Sequence, residues 1–452
     1  MPSSSRSNTP GAQNEQFPEP MQASRLISIS SATARRVTGV TTTEKPKLHW
    51  KKSETHGLLP DPEPRDIKYT LISVDDHLVE PPDMFEGRLP RRFRDLAPKI
   101  VETAEGHEVW EFDGQLYFQV GLNAVVGRKR EDWKVEPTRF EEMRAGCYDI
   151  DARVKDMDIN GVWASVNFPS QITGFCGRVF SQCSDPELGL AVTQAWNDWF
   201  AEEWHAPHPE RIVPMGITYL GDPEQGADEI RRNADRGFVA VTLPEQPHRV
   251  DMPNLFQGWW DPIIAACAET GTVICLHVGS TGVADMPPGS PMVPLGATLF
   301  GQLSLSACAE WLWSGYAVKH PDLKVAMSEG GIGWVAMLHD RLENIVDRSG
   351  YGDYFSGDLR PAEVLHRNFW FCTIDDPSTI CTRDTVGVDH VMFETDYPHG
   401  DGTWPDSQAV FEKFYGGLPA DEIAMISHEN AAALFRHPLP PPGNAHAAGL
   451  RR

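Results

Sequence analysis

Four polar positions in this sequence combine the residue types that bind divalent metal ions. Asp75 and His77 stand two residues apart in SVDDH, His277 lies in TVICLHV, and Asp396 ends HVMFETD. Carboxylate oxygens and imidazole nitrogens together form a ligand set that Zn²⁺, Mn²⁺ and Fe²⁺ accept. A bound ion of this kind activates water and polarises a carbonyl group. The set therefore predicts a cofactor of one or two divalent ions per chain and Lewis-acid chemistry.

Two further residues near these positions could move protons. Glu329 ends the apolar run LKVAMSE, and a carboxylate there could join the metal sphere, bridge a second ion, or act as an acid or base in a desolvated pocket. His399 follows Asp396 by three residues and could contact substrate or donate a proton. The structural alternatives are a helix-start carboxylate for Glu329 and a surface turn for His399. Glu80 is a weaker candidate that could orient a ligand or cap a turn.

A lone aspartate or histidine often has a purely structural role, as a turn cap or a hydrogen-bonded core residue. Here ligand-type residues end several different apolar runs, and side-chain packing alone does not explain why polar residues recur at these positions. An unpaired buried carboxylate is costly, so a cluster of such residues favours a metal site. Asp75 and His77 should face the same side of their strand because side chains alternate along it.

The elements that must position these residues are short apolar runs alternating with helical stretches. Helices are predicted over 186–204 and 331–348, each with apolar residues at helical spacing. Strands are predicted over 69–76, 162–168, 211–217, 238–243, 272–278, 323–329, 368–374 and 390–396. Eight strands alternating with helices indicate an α/β fold, a (β/α)8 TIM barrel, whose reactive side chains lie at the C-terminal strand ends. A doubly wound open sheet is the competing architecture.

The predicted barrel is one domain with additions. It spans 67–436, between a flexible N-terminal arm over 1–66 and a flexible tail over 437–452. Residues 83–150 form an insertion after the first strand, predicted to be a lid over the barrel mouth or a dimer contact. Within it, 107–121 is typical of a hairpin that turns at Asp113-Gly114.

The amino-acid composition restricts the classes of binding partner that we expect. The formal net charge of −24 comes from 40 Lys and Arg against 64 Asp and Glu, which disfavours nucleic acid. The eight cysteines form no CxxC pair, which argues against a thiolate zinc module or a disulfide scaffold. Without an 18-residue apolar run or an apolar leader, no membrane partner is expected. We expect a cytoplasmic protein that forms a homo-oligomer, such as a dimer, and acts on a small molecule.

Several motifs resemble those of the amidohydrolase-related family. They are SVDDHLVEPPDMF (73–85), LHVGS (276–280), HPDLKVAMSEGGIGWV (320–335) and ETDYPHGD (394–401). The resemblance spans about Leu71 to Phe435 and points to the branch that includes aminocarboxymuconate-semialdehyde decarboxylase and gamma-resorcylate decarboxylase.

This resemblance implies that His277 is the metal-ligating histidine of strand five and Asp396 the aspartate of strand eight. The pair Asp75-x-His77 departs from the common His-x-His and is similar to the carboxylate-x-His form of resorcylate-type decarboxylases. Glu329 stands where the family usually has an acid–base histidine, and this difference weakens assignment of the reaction by analogy.

The leading hypothesis is hydrolysis of an acyl bond in an ester, thioester or amide. Asp396 would accept the proton of a metal-activated water, and Glu329 or His399 would return one to the leaving group. The alternative is non-oxidative decarboxylation of an aromatic or unsaturated carboxylic acid. The basic run 128–130 could attract an anionic substrate, or could simply be solvated. A third hypothesis is a catalytically silent barrel that serves in binding or assembly.

Overall fold

The computed structural model describes residues 57–133, 136–349, 359–374 and 376–450. Most of the predicted arm, residues 1–56, therefore lies outside the described residues. The strands are β1 (Ile72–His77), β2 (Lys99–Glu102), β3 (Glu108–Phe112), β4 (Gln115–Tyr117), β5 (Ala164–Phe168), β6 (Ile212–Val213), β7 (Met215–Gly216), β8 (Ala240–Leu243), β9 (Val273–His277), β10 (Val325–Ser328), β11 (Phe369–Thr373) and β12 (Val391–Phe393).

All of these strands except β2, β3 and β4 pair in parallel around one ring. One run has the order β1-β5-β6, and the other runs from β7 through β8, β9, β10 and β11 to β12. β6 and β7 are the two halves of the third predicted strand, separated at Pro214, which has no N–H to donate to a ladder. The ring closes where Asp396 N donates to Asp75 O at 2.8 Å and His77 N donates to Tyr397 O at 2.6 Å. The predicted TIM barrel is confirmed.

Helices follow the strands and cover the outside of the barrel. Asp185 and Asp222 cap two of them. Each stands directly before a proline that begins the helix and accepts hydrogen bonds from the N–H groups of the two residues after that proline. The helices are α1 (Ile150–Asn160), α2 (Arg178–Ser181), α3 (Pro186–Trp199), α4 (Pro223–Asp235), α5 (Asp261–Thr270), α6 (Met292–Thr298), α7 (Phe300–Trp313), α8 (Tyr316–Lys319), α9 (Val335–Ser349), α10 (Pro361–Asn368), α11 (Arg383–Val386), α12 (Ser407–Tyr415), α13 (Ala420–Ala424) and α14 (Asn430–Phe435). The predicted helix over 186–204 is α3 continued by a π-helical turn, Phe200–His205.

In the described part of the chain, no single helix has the length and apolar character needed to cross a membrane. Only α6 and α7 taken together pass that test, and they are bent by 48° relative to each other.

The segments that precede and follow the barrel in the chain form hydrogen bonds with the rest of the domain. Leu59 N donates to Gly127 O at 2.7 Å, so the end of the predicted arm lies against the insertion. The predicted flexible tail packs in the same way over residues 437–450: Trp163 Nε1 donates to Pro438 O at 2.9 Å, and His446 is buried. These described residues differ from the flexible segments predicted, because a polar Pro-rich composition does not report long-range contacts.

The insertion after β1 is an antiparallel sheet with the order β2-β3-β4. Its hairpin turns at Asp113-Gly114, where both residues have positive φ (50° and 68°), as a type I′ turn requires. Trp110 and Phe112 are buried and contact Phe85 and Phe180 edge to face. The predicted hairpin is confirmed, whereas its role as a lid or a dimer contact stays a prediction.

A buried ion pair joins the insertion to α1. Arg144 Nε donates to Asp156 Oδ2 at 2.9 Å, and Tyr397 Oη donates to the same oxygen at 2.6 Å. The side chains of Arg144 and Asp156 are 9% and 2% exposed. We expect Asp156→Ala to lower the free energy of unfolding by about 2–4 kcal/mol, because the buried guanidinium keeps only the half-exposed Asp61, 2.8 Å away, as a counter-charge and Tyr397 Oη loses its acceptor.

Urea denaturation of the Asp156→Ala variant measures this loss. The control is Lys99→Ala, which removes a pair with Glu111 at 3.5 Å whose side chains are 51% and 33% exposed. That change should cost about 0–1 kcal/mol because solvent screens the pair. Equal losses in the two variants would contradict the prediction.

Candidate metal centre

The four predicted ligands meet at one end of the barrel, although they come from β1, from β9 and from the segment that follows β12. His77 Nε2 lies 3.0 Å from His277 Nε2, and 3.5 Å from both Asp75 Oδ1 and Asp396 Oδ1. His277 Nε2 lies 3.4 Å from Asp75 Oδ2. None of the four side chains is more than 4% exposed. We call this cluster of Asp75, His77, His277 and Asp396 the cage.

The cage fits a divalent cation. Both carboxylate oxygens of Asp75 and Oδ1 of Asp396 are buried without a hydrogen-bond donor among the described residues. Such atoms are costly unless a positive charge faces them. Bonds of about 2.1 Å to a common ion place neighbouring donor atoms roughly 3.0–3.4 Å apart, close to the separations in the cage.

The surroundings of the cage orient its ligands. His277 Nδ1 lies 2.6 Å from Val278 O, an arrangement in which Nδ1 donates and Nε2 keeps its lone pair for the cage. Asp76 points to the other face of β1, as strand alternation predicts. It accepts hydrogen bonds from Thr395 Oγ1 at 2.6 Å and Tyr397 N at 3.1 Å. Asp76 therefore ties β1 to the segment that carries Asp396.

Burial governs protonation in the cage. It raises the pKa of Asp75 and Asp396 well above the usual aspartate range, and Asp401 adds to both shifts. Burial also lowers the pKa of His77 well below the usual histidine range, with further lowering by His399 and His277. A neutral imidazole is the form that binds a metal.

Glu329 lies beside the cage rather than inside it. Its Oε2 is 3.7 Å from His277 Nδ1, the nitrogen that faces away from His77, and its side chain is 15% exposed. One carboxylate oxygen each from Glu329, Asp396 and Asp401 lies within 4.8 Å of the others. Burial raises the pKa of Glu329 well above the usual glutamate range. Its predicted roles as a ligand and as an acid both stay predictions, whereas α9 begins only at Val335, too far on for a helix-start role.

The backbone at Glu329 is unusual. Its φ is +64°, in the left-handed region, and its N–H donates to Glu394 Oε2 at 3.2 Å. This kink at the end of β10 directs the carboxyl group of Glu329 toward His277.

His399 is buried at the cage and is not a surface turn residue. Its Nδ1 lies 2.9 Å from Asp396 Oδ1, and its ring stacks on that of His77 with a centroid distance of 4.0 Å. Burial lowers the pKa of His399 to about 4, while the charge of Asp401 opposes that shift. His399 therefore lies next to Asp396, although the contact lacks hydrogen-bond geometry, and its catalytic role stays a prediction.

The insertion holds the loop that carries His399. Asn123 Nδ2 donates to Asp401 Oδ1 at 3.1 Å, and Val126 N donates to Pro398 O at 3.2 Å. Leu122 and Asn123 both have positive φ, 29° and 60°. The insertion thus contributes to the site through the Asn123 side chain and the Val126 backbone, which no motif in the sequence indicated.

Glu80 has a structural role. Its carboxylate is fully buried and accepts hydrogen bonds from Ser170 N at 3.1 Å and Trp196 Nε1 at 3.0 Å. It fixes the loop after β5 against α3 and does not join the cage.

Sequence reasoning missed several residues around the cage. Glu394 is buried between Asp75 and Cys372, and burial raises its pKa to about 8. Strand alternation could have found it, because Glu394 and Asp396 stand two apart. Phe168 and Phe175 contact the ring of His277, with centroid distances of 4.8 Å and 5.3 Å. No local signal distinguishes these rings from core phenylalanines.

Comparison with known proteins agrees with this architecture. The family model described as Amidohydrolase matches residues 168–437, more than half of the chain. The chain belongs to the amidohydrolase family. It is therefore an enzyme of the amidohydrolase superfamily, and the predicted divalent metal cofactor is confirmed at that level. The assignment of individual ligands stays a prediction.

Solved structures share the barrel at low sequence identity. An amidohydrolase from Mycobacterium avium subsp. paratuberculosis K-10 is 22% identical, with 82% of this chain and 100% of that chain covered and a TM-score of 0.64. A 2,6-dihydroxybenzoate decarboxylase from Rhizobium is 16% identical over 81% and 99%, with a TM-score of 0.54. A 5-carboxyvanillate decarboxylase from Novosphingobium aromaticivorans, solved with manganese, is 18% identical over 83% and 99%, with a TM-score of 0.56.

Proposed function

We propose that this protein is a metal-dependent, non-oxidative decarboxylase of an aromatic or unsaturated carboxylic acid. The observation that carries the proposal is a protonatable carboxyl group, Glu329, beside a buried cage for a divalent cation. Solved structures with the same fold include decarboxylases of hydroxylated benzoates, which supports this reaction over the hydrolysis predicted first.

A cation in the cage would supply the positive charge that holds a substrate carboxylate and a neighbouring oxygen. The Glu329 carboxyl group, in its acid form, donates a proton to the carbon that bears the substrate carboxylate. The new C–H bond uses a π electron pair of the substrate; the bond from that carbon to the carboxylate then breaks, and its electron pair restores the π bond while CO₂ leaves. One proton is consumed per CO₂ released, and Glu329 regains it through its partly exposed side.

His399 and Asp396 would orient the reacting groups. His399 Nδ1 lies 2.9 Å from Asp396 Oδ1, so the imidazole packs against the aspartate at the cage. The same contact favours the second candidate, hydrolysis of an acyl bond, because an aspartate paired with a neutral histidine can accept a proton from water.

Turnover by the manganese-loaded protein separates the two candidates. We expect CO₂ release from at least one member of a panel of ortho-hydroxylated benzoates, including 2,6-dihydroxybenzoate and 5-carboxyvanillate. Headspace detection of ¹³CO₂ from carboxyl-labelled acids measures it, with the metal-free protein as control. Ester or amide cleavage without CO₂ release from any acid would refute decarboxylation and establish hydrolysis.

A further inference from the structure

Phe175 is a partly buried residue whose ring contacts two histidines of the cage. Its ring lies 5.3 Å from that of His277 at an interplanar angle of 32°, and 5.9 Å from that of His77 at 87°. Phe168 also contacts His277 but is completely buried, so none of its surface is free for a ligand. Phe175, in contrast, is only partly buried.

The backbone holds Phe175 in a conformation that a phenylalanine rarely adopts. Its φ is +65°, where a bulky side chain is disfavoured and glycine is the usual residue. Two hydrogen bonds keep the conformation: Phe175 N donates to Ser170 O at 3.3 Å, and Thr242 Oγ1 donates to Phe175 O at 3.3 Å. Complete burial in the core does not account for the strain, because Phe175 is only partly buried.

The residues around the cage indicate which kind of ligand group would pack against the Phe175 ring. Glu329, Asp396 and Asp401 cluster at the cage and are acidic, so they offer an apolar ring such as that of Phe175 no packing partner. Aromatic rings pack favourably on one another, offset or edge to face, at centroid distances of about 4.5–7 Å. A planar substrate ring whose oxygens reach the cage would lie within this range of Phe175.

We propose that Phe175 is a specificity-determining residue that packs against the aromatic ring of the substrate. This inference rests on the proposed function and narrows its substrate class from aromatic or unsaturated acids to acids with a planar aromatic ring. Aliphatic acids, even unsaturated ones, would lack the packing partner.

Ligand binding tests this proposal without turnover. The probe is 2-nitroresorcinol, an inhibitor bound with manganese in a dihydroxybenzoic acid decarboxylase from Polaromonas sp. JS666. The comparison ligand is acetohydroxamate, which offers two oxygens to a metal but has no ring. Calorimetry with manganese-loaded protein would compare wild type, Phe175→Leu and Phe175→Tyr. Phe256→Leu, at an exposed phenylalanine elsewhere on the surface, is the matched control.

We expect Phe175→Leu to weaken 2-nitroresorcinol binding roughly two- to tenfold and to leave acetohydroxamate binding within about twofold, because only the ring–ring contact is lost. Phe175→Tyr and Phe256→Leu should bind both ligands like wild type. The proposal is overturned if the leucine variant weakens both ligands equally or neither, or if the wild type does not bind 2-nitroresorcinol.

The outcome is separable from that of the proposed function. Selective weakening in a protein that releases no CO₂ would support the role of Phe175 and remove decarboxylation. CO₂ release by wild type, without selective weakening in Phe175→Leu, would support decarboxylation and refute the role of Phe175.

Discussion

Replacing His77 with alanine is expected to remove metal binding and to lower kcat/KM by roughly 10³-fold or more. The His77 Nε2 atom lies within 3.5 Å of donor atoms from all three other cage residues, so its loss opens the centre of the site. A bound metal contributes several kcal/mol to catalysis, and about 4 kcal/mol corresponds to this loss of rate. Elemental analysis of the purified variant gives metal per chain, and turnover of the substrate found with the panel gives the rate.

The matched control is His208→Ala, at a histidine that pairs with Asp151 on the surface. It should keep both the metal content and the rate of wild type. Chelation of wild type should lower turnover as the His77 variant does, and manganese should restore it. Full metal content in His77→Ala, or turnover that survives chelation, would show that the cage is not the metal site.

Glu329→Gln is expected to lower kcat by about 10²–10⁴-fold while metal content stays at the wild-type level. The substitution keeps the size of the side chain and removes the proton that the proposed reaction needs. Glu329 contacts His277 on Nδ1, outside the cage, so its loss should leave the cage donors in place. Elemental analysis and steady-state kinetics on the same preparation separate the two effects.

Glu269→Gln serves as the control for this substitution. Glu269 is 62% exposed and pairs with Arg231 on the outside of the barrel, so the change should leave kcat unaltered. A fall in metal content in Glu329→Gln would instead identify Glu329 as a ligand. Unchanged kcat with full metal would exclude both predicted roles.

Both predictions start from residues that the sequence alone brings together. In a parallel barrel the C-terminal ends of all strands meet at one mouth, so locating each strand also locates the residue that ends it. Asp75, His77, His277 and Asp396 stand at such ends, and the structure places them within one cluster. These four residues could be predicted because strand periodicity is a local property of the chain.

The position of Glu329 relative to the cage could not be predicted from the sequence. Strand order predicts that Glu329 reaches the mouth, but its carboxyl group lies on the far nitrogen of His277 because its backbone turns to φ +64°. A single left-handed dihedral at a residue that is not glycine has no sequence signature. For the same reason the sequence did not single out Phe175, whose φ is +65°.

What the sequence determined by itself is the barrel, the hairpin after its first strand and the four residues of the cage, because each follows from periodicity, turn chemistry or strand order. The tertiary structure alone decided that His399 is buried against Asp396, that Val126 of the insertion donates a hydrogen bond to Pro398 in the same loop, and that residues 437–450 pack against the barrel. These features depend on contacts between residues far apart in the chain and on individual backbone dihedrals, and the free energies that select them arise only when the fold is assembled.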